Sequence, residues 1–360
     1  MDASVKKIPL TIGSHSYNIV IGSEILSTID FSSVMLSPDK TGYVVSERVW
    51  GLYRDYISQV FSVKDAGDFI VMNDGEENKN YRYAEQFFEW LLGKGFTRKS
   101  MLVAIGGGVV GDFAGYCAAL FMRGIPVVHV PTTLLAMVDS SIGGKVAVNI
   151  SAGKNIVGVF YQPAMVLSDV RFLATLPDGE LKNGITETVK HALIGESSLL
   201  AMMLNHDLKS IKERDTLEEI IYLSAGFKAG VVCEDEKESG RRAILNFGHT
   251  IGHAIESVME YRGISHGEAV AIGLKGAMEI SREMGFITRE DVSVFDECAR
   301  RYELLNSEHR FDPADVIDHM KYDKKNYGGR INFVLLKSMG VPQFDCEVPE
   351  DVLKHVLSGL

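Results

Sequence analysis

MLVAIGGGVVGD, residues 101–112, runs from an apolar segment into glycines and then into a helical pattern that continues to Met122. The five residues Met101–Ile105 have the length and apolar character of a buried strand. Gly106, Gly108 and Gly111 then give the spacing G-x-G-x-x-G between strand and helix. Glycines there let the chain turn tightly and bring backbone N–H groups close to a phosphate at the helix N-terminus. The usual dinucleotide pattern also has an acid about 20 residues later, for the ribose. This chain has Pro131-Thr132-Thr133 in that region. An upstream acid can serve the ribose instead. Glu47, after the apparent strand Gly42–Val45, is one candidate. The turn Asp74-Gly75-Glu76, after Asp68–Met72 and with Lys79 nearby, is the other.

Outward from the loop, the first half alternates β-branched runs with helical ones. Ile8–Ile12, Tyr17–Ile21, Gly42–Val45, Asp68–Met72, Met101–Ile105 and Pro126–Val130 read as strands, and Tyr83–Lys94 and Asp112–Met122 as helices. Such alternation predicts an α/β domain with a mainly parallel sheet. After Pro177 the pattern is helical, over Glu180–Ile194, Ser197–Leu208, Thr216–Glu234, His249–Tyr261, Gly267–Met284 and Asp291–Tyr302, with one weak strand at Ile331–Leu336. A residue before proline leans extended and proline suits a helix's first turn, so the boundary falls at Leu176–Pro177. The expected fold class is α/β followed by α. Residues 1–176 form a Rossmann-like nucleotide-binding domain, and 177–360 a mainly helical metal- and substrate-binding domain. The active site is expected in the cleft between them.

Composition excludes other classes. Forty-eight acids against 37 bases leave the 360-residue chain at −11, without the basic footprint of a nucleic-acid binder. No apolar run reaches 18 residues and the N-terminus has no apolar core, so neither a membrane span nor a signal peptide is expected. Cys117, Cys233, Cys298 and Cys346 stand far apart, without metal or disulfide spacing. The reading is a cytoplasmic protein with a small-molecule ligand.

Within Asn246–Glu256, NFGHTIGHAIE, His249 and His253 stand at i and i+4 and share one helical face. His266-Gly267-Glu268 opens another helix, and Glu187, Lys190 and His191 share a face upstream. A carboxylate and imidazoles from separate helices suit a divalent metal with a position open to substrate. Spacing does not choose between His249 with His253 and His249 with His266; the spare histidine would support the ligands or carry protons. His15, His129, His206, His309, His319 and His355 stand alone and read as structural or solvated. Lys145, Lys154, Lys190, Lys228, Arg241, Arg242, Lys324 and Lys325 are cations in glycine-rich or polar settings. If several converge, the ligand is anionic. Dinucleotide, metal and cation cluster together imply redox chemistry on a phosphorylated, oxygen-rich small molecule.

The motif set between Asp74 and Asn326 resembles that of the 3-dehydroquinate synthases, within the sugar phosphate cyclase family. It comprises Asp74-Gly75-Glu76 with Lys79, GGGVVGD from Gly106, FMRG ending at Gly124, PTTLLAMVDSSIGGKVAVN from Pro131 and GKN from Gly153. It continues through Leu176-Pro177, DEKESGRR from Asp235, LNFGHTIGHAIE from Leu245, HGEAV from His266 and DKKN from Asp323. The resemblance implies a carbon–oxygen lyase that converts 3-deoxy-D-arabino-heptulosonate 7-phosphate to 3-dehydroquinate and phosphate. That is a step of the shikimate pathway to chorismate and the aromatic amino acids. It implies NAD and Zn2+ or Co2+, with Glu187, His249 and His266 as metal ligands and His253 as a nearby proton-handling group. Lys145, Asn155, Lys190, Lys228, Arg242, Asn246 and Lys324 or Lys325 are implied at the substrate. Asp139 is implied in the metal-side network. Arg123 is implied at the phosphate of a neighbouring subunit, hence a homodimer. For NAD the implied positions are Asp74, Gly75, Glu76, Lys79, Gly107, Gly108, Val109, Val110, Gly111, Asp112, Thr132, Thr133, Lys145, Lys154, Phe172, Leu173, Ala174 and Thr175. Where the family often has Thr-Asp for the adenosine ribose this chain has Ser46-Glu47, a longer carboxylate. Two competitors share much of this set: a cyclase making a valiolone or an inosose, and a metal-dependent alcohol dehydrogenase of related fold. Lys228, Arg242 and Asn246 favour a substrate that carries a carboxylate. A non-catalytic NAD sensor would not need the intact Glu187, His249 and His266.

Overall fold

The computed structural model describes residues 5–28, 38–61, 69–151, 153–260, 262–306, 309–326 and 331–360, with backbone only for 322–326. The chain divides into two compact units, Met1–Leu176 and Pro177–Leu360. Among the described residues no helix is long and apolar enough to cross a membrane.

The first unit is built on strands β1 (Lys6–Ile12), β2 (His15–Gly22), β3 (Thr41–Ser46), β4 (Phe69–Met72), β5 (Met101–Gly106), β6 (Val127–Pro131), β7 (Lys145–Ile150), β8 (Gly153–Phe160) and β9 (Met165–Asp169). Helices α1 (Glu47–Val60), α2 (Tyr81–Gly93) and α3 (Gly108–Leu120) connect them. Seven strands form one sheet in the order β1-β2-β9-β6-β5-β3-β4. Only the β1–β2 hairpin is antiparallel within it. Strands β5, β6 and β9 are buried along their whole length, as a parallel sheet covered on both faces requires. One face packs Val44, Leu102 and Ala104 against Phe87, Leu91 and Phe113 of α2 and α3. The other packs Val45, Val103, Ile105 and Val130 around Ile57 of α1 and Phe172.

Four elements of this unit were not expected from the sequence. Helix α1 begins where Ser46 Oγ accepts the Val49 N–H at 3.2 Å. Strand β9 completes the sheet between β2 and β6. Strands β7 and β8 form a separate hairpin. Helix α3 starts four residues ahead of the expected Asp112, because Gly108–Gly111 themselves form its first turn. Asp68, expected to open the fourth strand, lies outside the described residues.

The second unit contains α4 (Asp178–Ile194), α5 (Ser197–Asn205), α6 (Arg214–Glu234), α7 (His249–Val258), α8 (His266–Glu283), α9 (Arg289–Tyr302) and α10 (Pro313–Asn326). A hairpin of β10 (Phe333–Ser338) and β11 (Val341–Cys346) and the helix α11 (Glu350–Leu357) follow. The sequence reading missed α10, β11 and α11. Helix α4 is buried at every position from Asn183 to Ile194, so it forms the axis of this unit. Helices α7 and α8 meet backbone to backbone. A Cβ at Gly273 would stand 2.0 Å from the Gly248 carbonyl oxygen, and Gly248 itself has φ +81°. Only glycine allows that approach, which brings the N-termini of both helices to the same face of α4 as Glu187.

Candidate functional site

Glu187 sits in the middle of α4 with its side chain 1 % exposed. His249 opens α7 and His266 opens α8. His249 Nε2 lies 3.5 Å from Glu187 Oε1, and His266 Nε2 lies 3.7 Å from the same oxygen. That oxygen is buried and has no hydrogen-bond partner. The other carboxylate oxygen is paired with Lys190, one turn along α4. The His249 Nδ1 is 3.2 Å from the Phe247 carbonyl oxygen. Donating its proton there leaves the Nε2 lone pair facing Glu187. A carboxylate oxygen left without a donor in the interior is costly. Two imidazole nitrogens aimed at it make a site for a positive charge.

Electrostatics agree with that reading. Burial works against the charged form of Glu187, but Lys190 and then the two imidazoles outweigh it, so its pKa is well below the usual carboxylate range. Burial and the neighbouring Lys190 push His249 well below the ordinary imidazole value. Burial opposes a charge on His266 too, yet the neighbouring carboxylates of Glu187 and Glu256 prevail and raise it to about 10. A carboxylate and two imidazoles, each a ligand in its neutral form, match the oxygen and nitrogen donors that Zn2+ or Co2+ prefers. The three side chains offer ligand atoms all within 4.8 Å of one another.

Of the two pairings that spacing left open, His249 with His266 is the one gathered around Glu187, while His253 groups with Glu256 and His266. His253 is exposed, with its ring centroid 5.2 Å from that of His249 and 6.1 Å from that of His266.

The same unit holds cations in its interior. Lys190, Lys228 and Arg242 are 2 %, 6 % and 2 % exposed. Arg242 is placed by a loop folded around Asp235. That carboxylate accepts the backbone N–H groups of Ser239, Gly240 and Arg242 at 3.0, 2.8 and 3.0 Å. Led by the Arg242 N–H, these bonds hold its pKa down to about 2. Asn246 donates to Glu238 Oε1 at 2.7 Å. Arg241 is exposed and pairs with Glu234, apart from the buried set. The side chains of Lys324 and Lys325 lie outside the described residues.

In the first unit, Gly107 is the N-cap of α3 and no side chain caps that end. The first N–H groups of the helix therefore remain available to an anion. Val110 folds back over Gly106, where a Cβ would stand 2.6 Å from the valine. Thr132 is buried, and Thr133 Oγ1 accepts the Ala136 N–H at 3.1 Å. Asp139 lies in the single wide turn Ala136–Ser140 that follows.

Upstream of the loop, the expected nucleotide residues converge on Lys79, which is 3 % exposed. Its Nζ is 2.9 Å from Asp112 Oδ2, 3.0 Å from Glu76 Oε1 and 2.7 Å from Asn155 Oδ1. Burial works against its charge, but Asp112 and Glu76 raise its pKa above the usual lysine value. Asn149, which the sequence did not single out, ties this knot to β7. It donates to Glu76 Oε1 at 2.9 Å and accepts the Asn155 N–H at 2.9 Å. Asn155, implied at the substrate, accepts from Lys79 in the same cluster. Asp74 accepts the Arg48 N–H at 3.0 Å, beside the exposed Glu47 at the start of α1.

Phe172 and Leu173 are core side chains, so that turn offers a ligand only its backbone and the exposed Ala174 and Thr175. Tyr53 steadies the turn by its hydrogen bond to Thr175 Oγ1 at 3.0 Å. Lys145 and Lys154 are exposed on the β7–β8 hairpin. Arg123 is exposed with φ +71°. Asn149 and Glu256 carried no spacing signal; only the fold reveals them.

Two family models match in tandem. The one described as 3-dehydroquinate synthase N-terminal covers residues 69–183, and the one described as 3-dehydroquinate synthase C-terminal covers 184–326. The 3-dehydroquinate synthase of Dehalococcoides mccartyi is 41 % identical over 342 residues, 94 % of this chain and 95 % of that protein. That of Methylococcus capsulatus is 41 % identical over 356 residues, 98 % of this chain and 99 % of that one. Among solved structures, 2-deoxy-scyllo-inosose synthase complexed with carbaglucose-6-phosphate, NAD+ and Co2+ is 28 % identical with a TM-score of 0.87. The match covers 98 % of this chain and 99 % of that one.

Proposed function

We infer the reaction from one premise: the chain belongs to the 3-dehydroquinate synthase family. It is a carbon–oxygen lyase that converts 3-deoxy-D-arabino-heptulosonate 7-phosphate to 3-dehydroquinate and phosphate, on the shikimate route to chorismate and the aromatic amino acids. The observation that carries this reading is the Glu187–His249–His266 donor set around one unpartnered carboxylate oxygen, in the unit that also buries Lys190, Lys228 and Arg242. The cofactors are NAD and Zn2+ or Co2+; the inosose synthase of like fold was solved with NAD+ and Co2+. Glu187, His249 and His266 would hold the ion.

When bound, the ion would supply Lewis acidity at the substrate's hydroxyls and NAD+ a transient hydride acceptor. The chain does the rest by position and charge. Lys228, Arg242 and Asn246 hold the substrate carboxylate. Lys190, fixed against Glu187, reaches the hydroxyls beside it. His253, exposed and not among the three donors, exchanges protons with solvent. Lys145, Lys324 or Lys325, and Arg123 from a second copy neutralise the phosphate as it leaves, and Asp139 orders the metal-side network. The N–H groups of Gly107–Asp112 take the pyrophosphate, with Lys154, Thr132 and Thr133 beside it. Lys79 holds Glu76 and Asp112 in place for the rest of the nucleotide, and Asp74 and Glu47 receive the adenosine ribose. Gly75 and the Phe172–Thr175 turn, through backbone and Thr175, complete that wall. Ring opening and aldol closure then need little beyond a held substrate, since tethered reactants have a high effective concentration.

The working form is a cytoplasmic homodimer. Ile156, Val159 and Phe160 are exposed on β8, an apolar strand that suits a second copy. NMR of the product from the heptulosonate phosphate, with zinc and NAD+ well below substrate concentration, tests the reading. Dehydroquinate and phosphate should form without net NADH. Preference for sedoheptulose 7-phosphate would assign another sugar phosphate cyclase, and steady NADH from a simple polyol an alcohol dehydrogenase.

A further inference from the structure

His266 faces a carboxylate from each ring nitrogen. Nε2 is 3.7 Å from Glu187 Oε1, and Nδ1 is 3.4 Å from Glu256 Oε1. Glu187 belongs to α4 and Glu256 to α7. His249 and Glu256 stand seven apart, two helical turns, so they share one face of α7. That helix therefore contributes an imidazole at its start and, two turns on, an acid to the far side of the other imidazole.

Packing alone does not set the His266 ring. Its backbone is well fixed, because Ser265 and Glu268 form a reciprocal cap, with Ser265 N to Glu268 Oε2 at 2.9 Å and Glu268 N to Ser265 Oγ at 3.3 Å. The side chain, however, is the first of its helix and 34 % exposed, against 12 % for His249. The two imidazoles solve one problem in different ways. Each has an acceptor behind Nδ1: the Phe247 carbonyl for His249 and the Glu256 carboxylate for His266. A ring that gives its Nδ1 proton to such an acceptor keeps its Nε2 lone pair free. The opposite tautomer would aim a hydrogen at the position of the ion.

We propose that Glu256 is a positioning residue of the metal centre: it accepts the Nδ1–H of His266, fixes the tautomer that presents Nε2 beside Glu187 and His249, and makes that nitrogen a better donor. This rests on Glu187, His249 and His266 being the ligands. Outer acceptors of this kind typically change metal affinity by about 10–100-fold.

The test is the zinc dissociation constant of the full chain, measured by competition with a chromophoric chelator in the absence of NAD and substrate. Glu256→Ala should bind zinc about 10–100-fold more weakly than wild type. Glu256→Gln keeps an oxygen that accepts from Nδ1 at the same reach, so it should recover most of that loss. Glu256→Asp keeps the charge but withdraws the oxygen by one methylene, and should lose affinity like alanine. Because Gln and Asp preserve a polar side chain, the comparison stands even if Glu256→Ala fails to fold. Wild-type affinity in Glu256→Ala, or an intact Asp variant beside a weakened Gln variant, would overturn the proposal. A wild type that binds no zinc would remove the ligand reading itself, whereas tight wild-type binding that ignores position 256 defeats the proposal alone. Melting of the chelator-treated proteins supplies the structural control. The alanine variant should melt with wild type when both are stripped, and a melt lowered as far as the affinity would overturn the role in metal binding.

Discussion

His129→Gln should remove a defined part of the acid sensitivity of the first unit. His129 sits inside β6, 5 % exposed, and its Nδ1 has no hydrogen-bond partner. Helix α3 rides over the ring, where Cβ atoms at Gly111 and Gly115 would come within 3.6 Å of it. Burial lowers its pKa from 6.5 to about 4. The folded state thus keeps the ring neutral where the unfolded chain already binds a proton. Between those two values the unfolded state holds more protons, so stability rises with pH. The contribution is complete above about pH 6.5 and is lost as pH falls towards about 4. At about 1.4 kcal/mol for each pH unit, the whole window is worth about 3 kcal/mol, and the part between pH 7 and pH 5 about 2 kcal/mol. Glutamine does not titrate, so its variant escapes this term whatever its stability at neutral pH. The chain's two tryptophans, Trp50 in α1 and Trp90 in α2, both belong to the first unit. Urea unfolding followed by tryptophan fluorescence therefore reports on that unit. The stability gap between wild type and variant should move by about 2 kcal/mol in favour of the variant as pH goes from 7 to 5. A gap that stays constant over that range would mean the ring is either solvated or charged in the folded state, and would refute the reasoning.

Further outcomes follow from the two sites. Glu187→Ala and His249→Ala each remove a donor of the proposed metal site, so zinc affinity should fall by more than about 100-fold, beyond the loss from an outer acceptor, as read by chelator competition. Gly273→Ala places a methyl 2.0 Å from the Gly248 carbonyl and must push α7 from α8; overpacking of this kind costs about 1–3 kcal/mol, seen as a lower melting temperature with weakened zinc binding. Lys79→Met leaves Glu76 and Asp112 facing each other without their cation. NAD+ affinity in a calorimetric titration should drop by about 10-fold or more, for about 1.4 kcal/mol lost per decade. Arg242→Ala should raise KM for the heptulosonate phosphate far more than it lowers zinc affinity, because the proposed reading gives its guanidinium to the substrate carboxylate and not to the ion.

The glycine loop was legible because strand, turn and helix follow one another without a gap, so local spacing alone specifies β5 and α3. Helix α1 carries the same kind of signal and was overlooked: Val49, Trp50, Tyr53, Tyr56, Ile57 and Val60 recur at helical spacing and pack against the sheet. Strand β8 is exposed or half-buried throughout, with Val157 packed on the core, so alternation never arises.

The metal donors show the limit most clearly. His249 and His253 share a helical face, which spacing detects, yet the third donor arrives on α8. What brings α8 close is not a donor motif but glycine at 273 opposite Gly248, a packing feature that spacing of histidines does not encode. Burial is equally silent in sequence. Lys190, Lys228 and Arg242 look like the surface cations of any acidic protein until the fold puts them inside, where each must answer to an anion. Residues that touch a ligand and residues that hold those residues differ in the same way. Asn149, Asp235 and Glu256 stand inside the quoted motifs, yet what they support shows only in distances: Asn149 to Glu76 and Asn155, Asp235 to the N–H groups of Ser239, Gly240 and Arg242, Glu256 to His266. A variant series at these three positions would therefore separate contact from support. Substitutions there should leave every ligand-touching side chain present and still move affinity, through orientation alone.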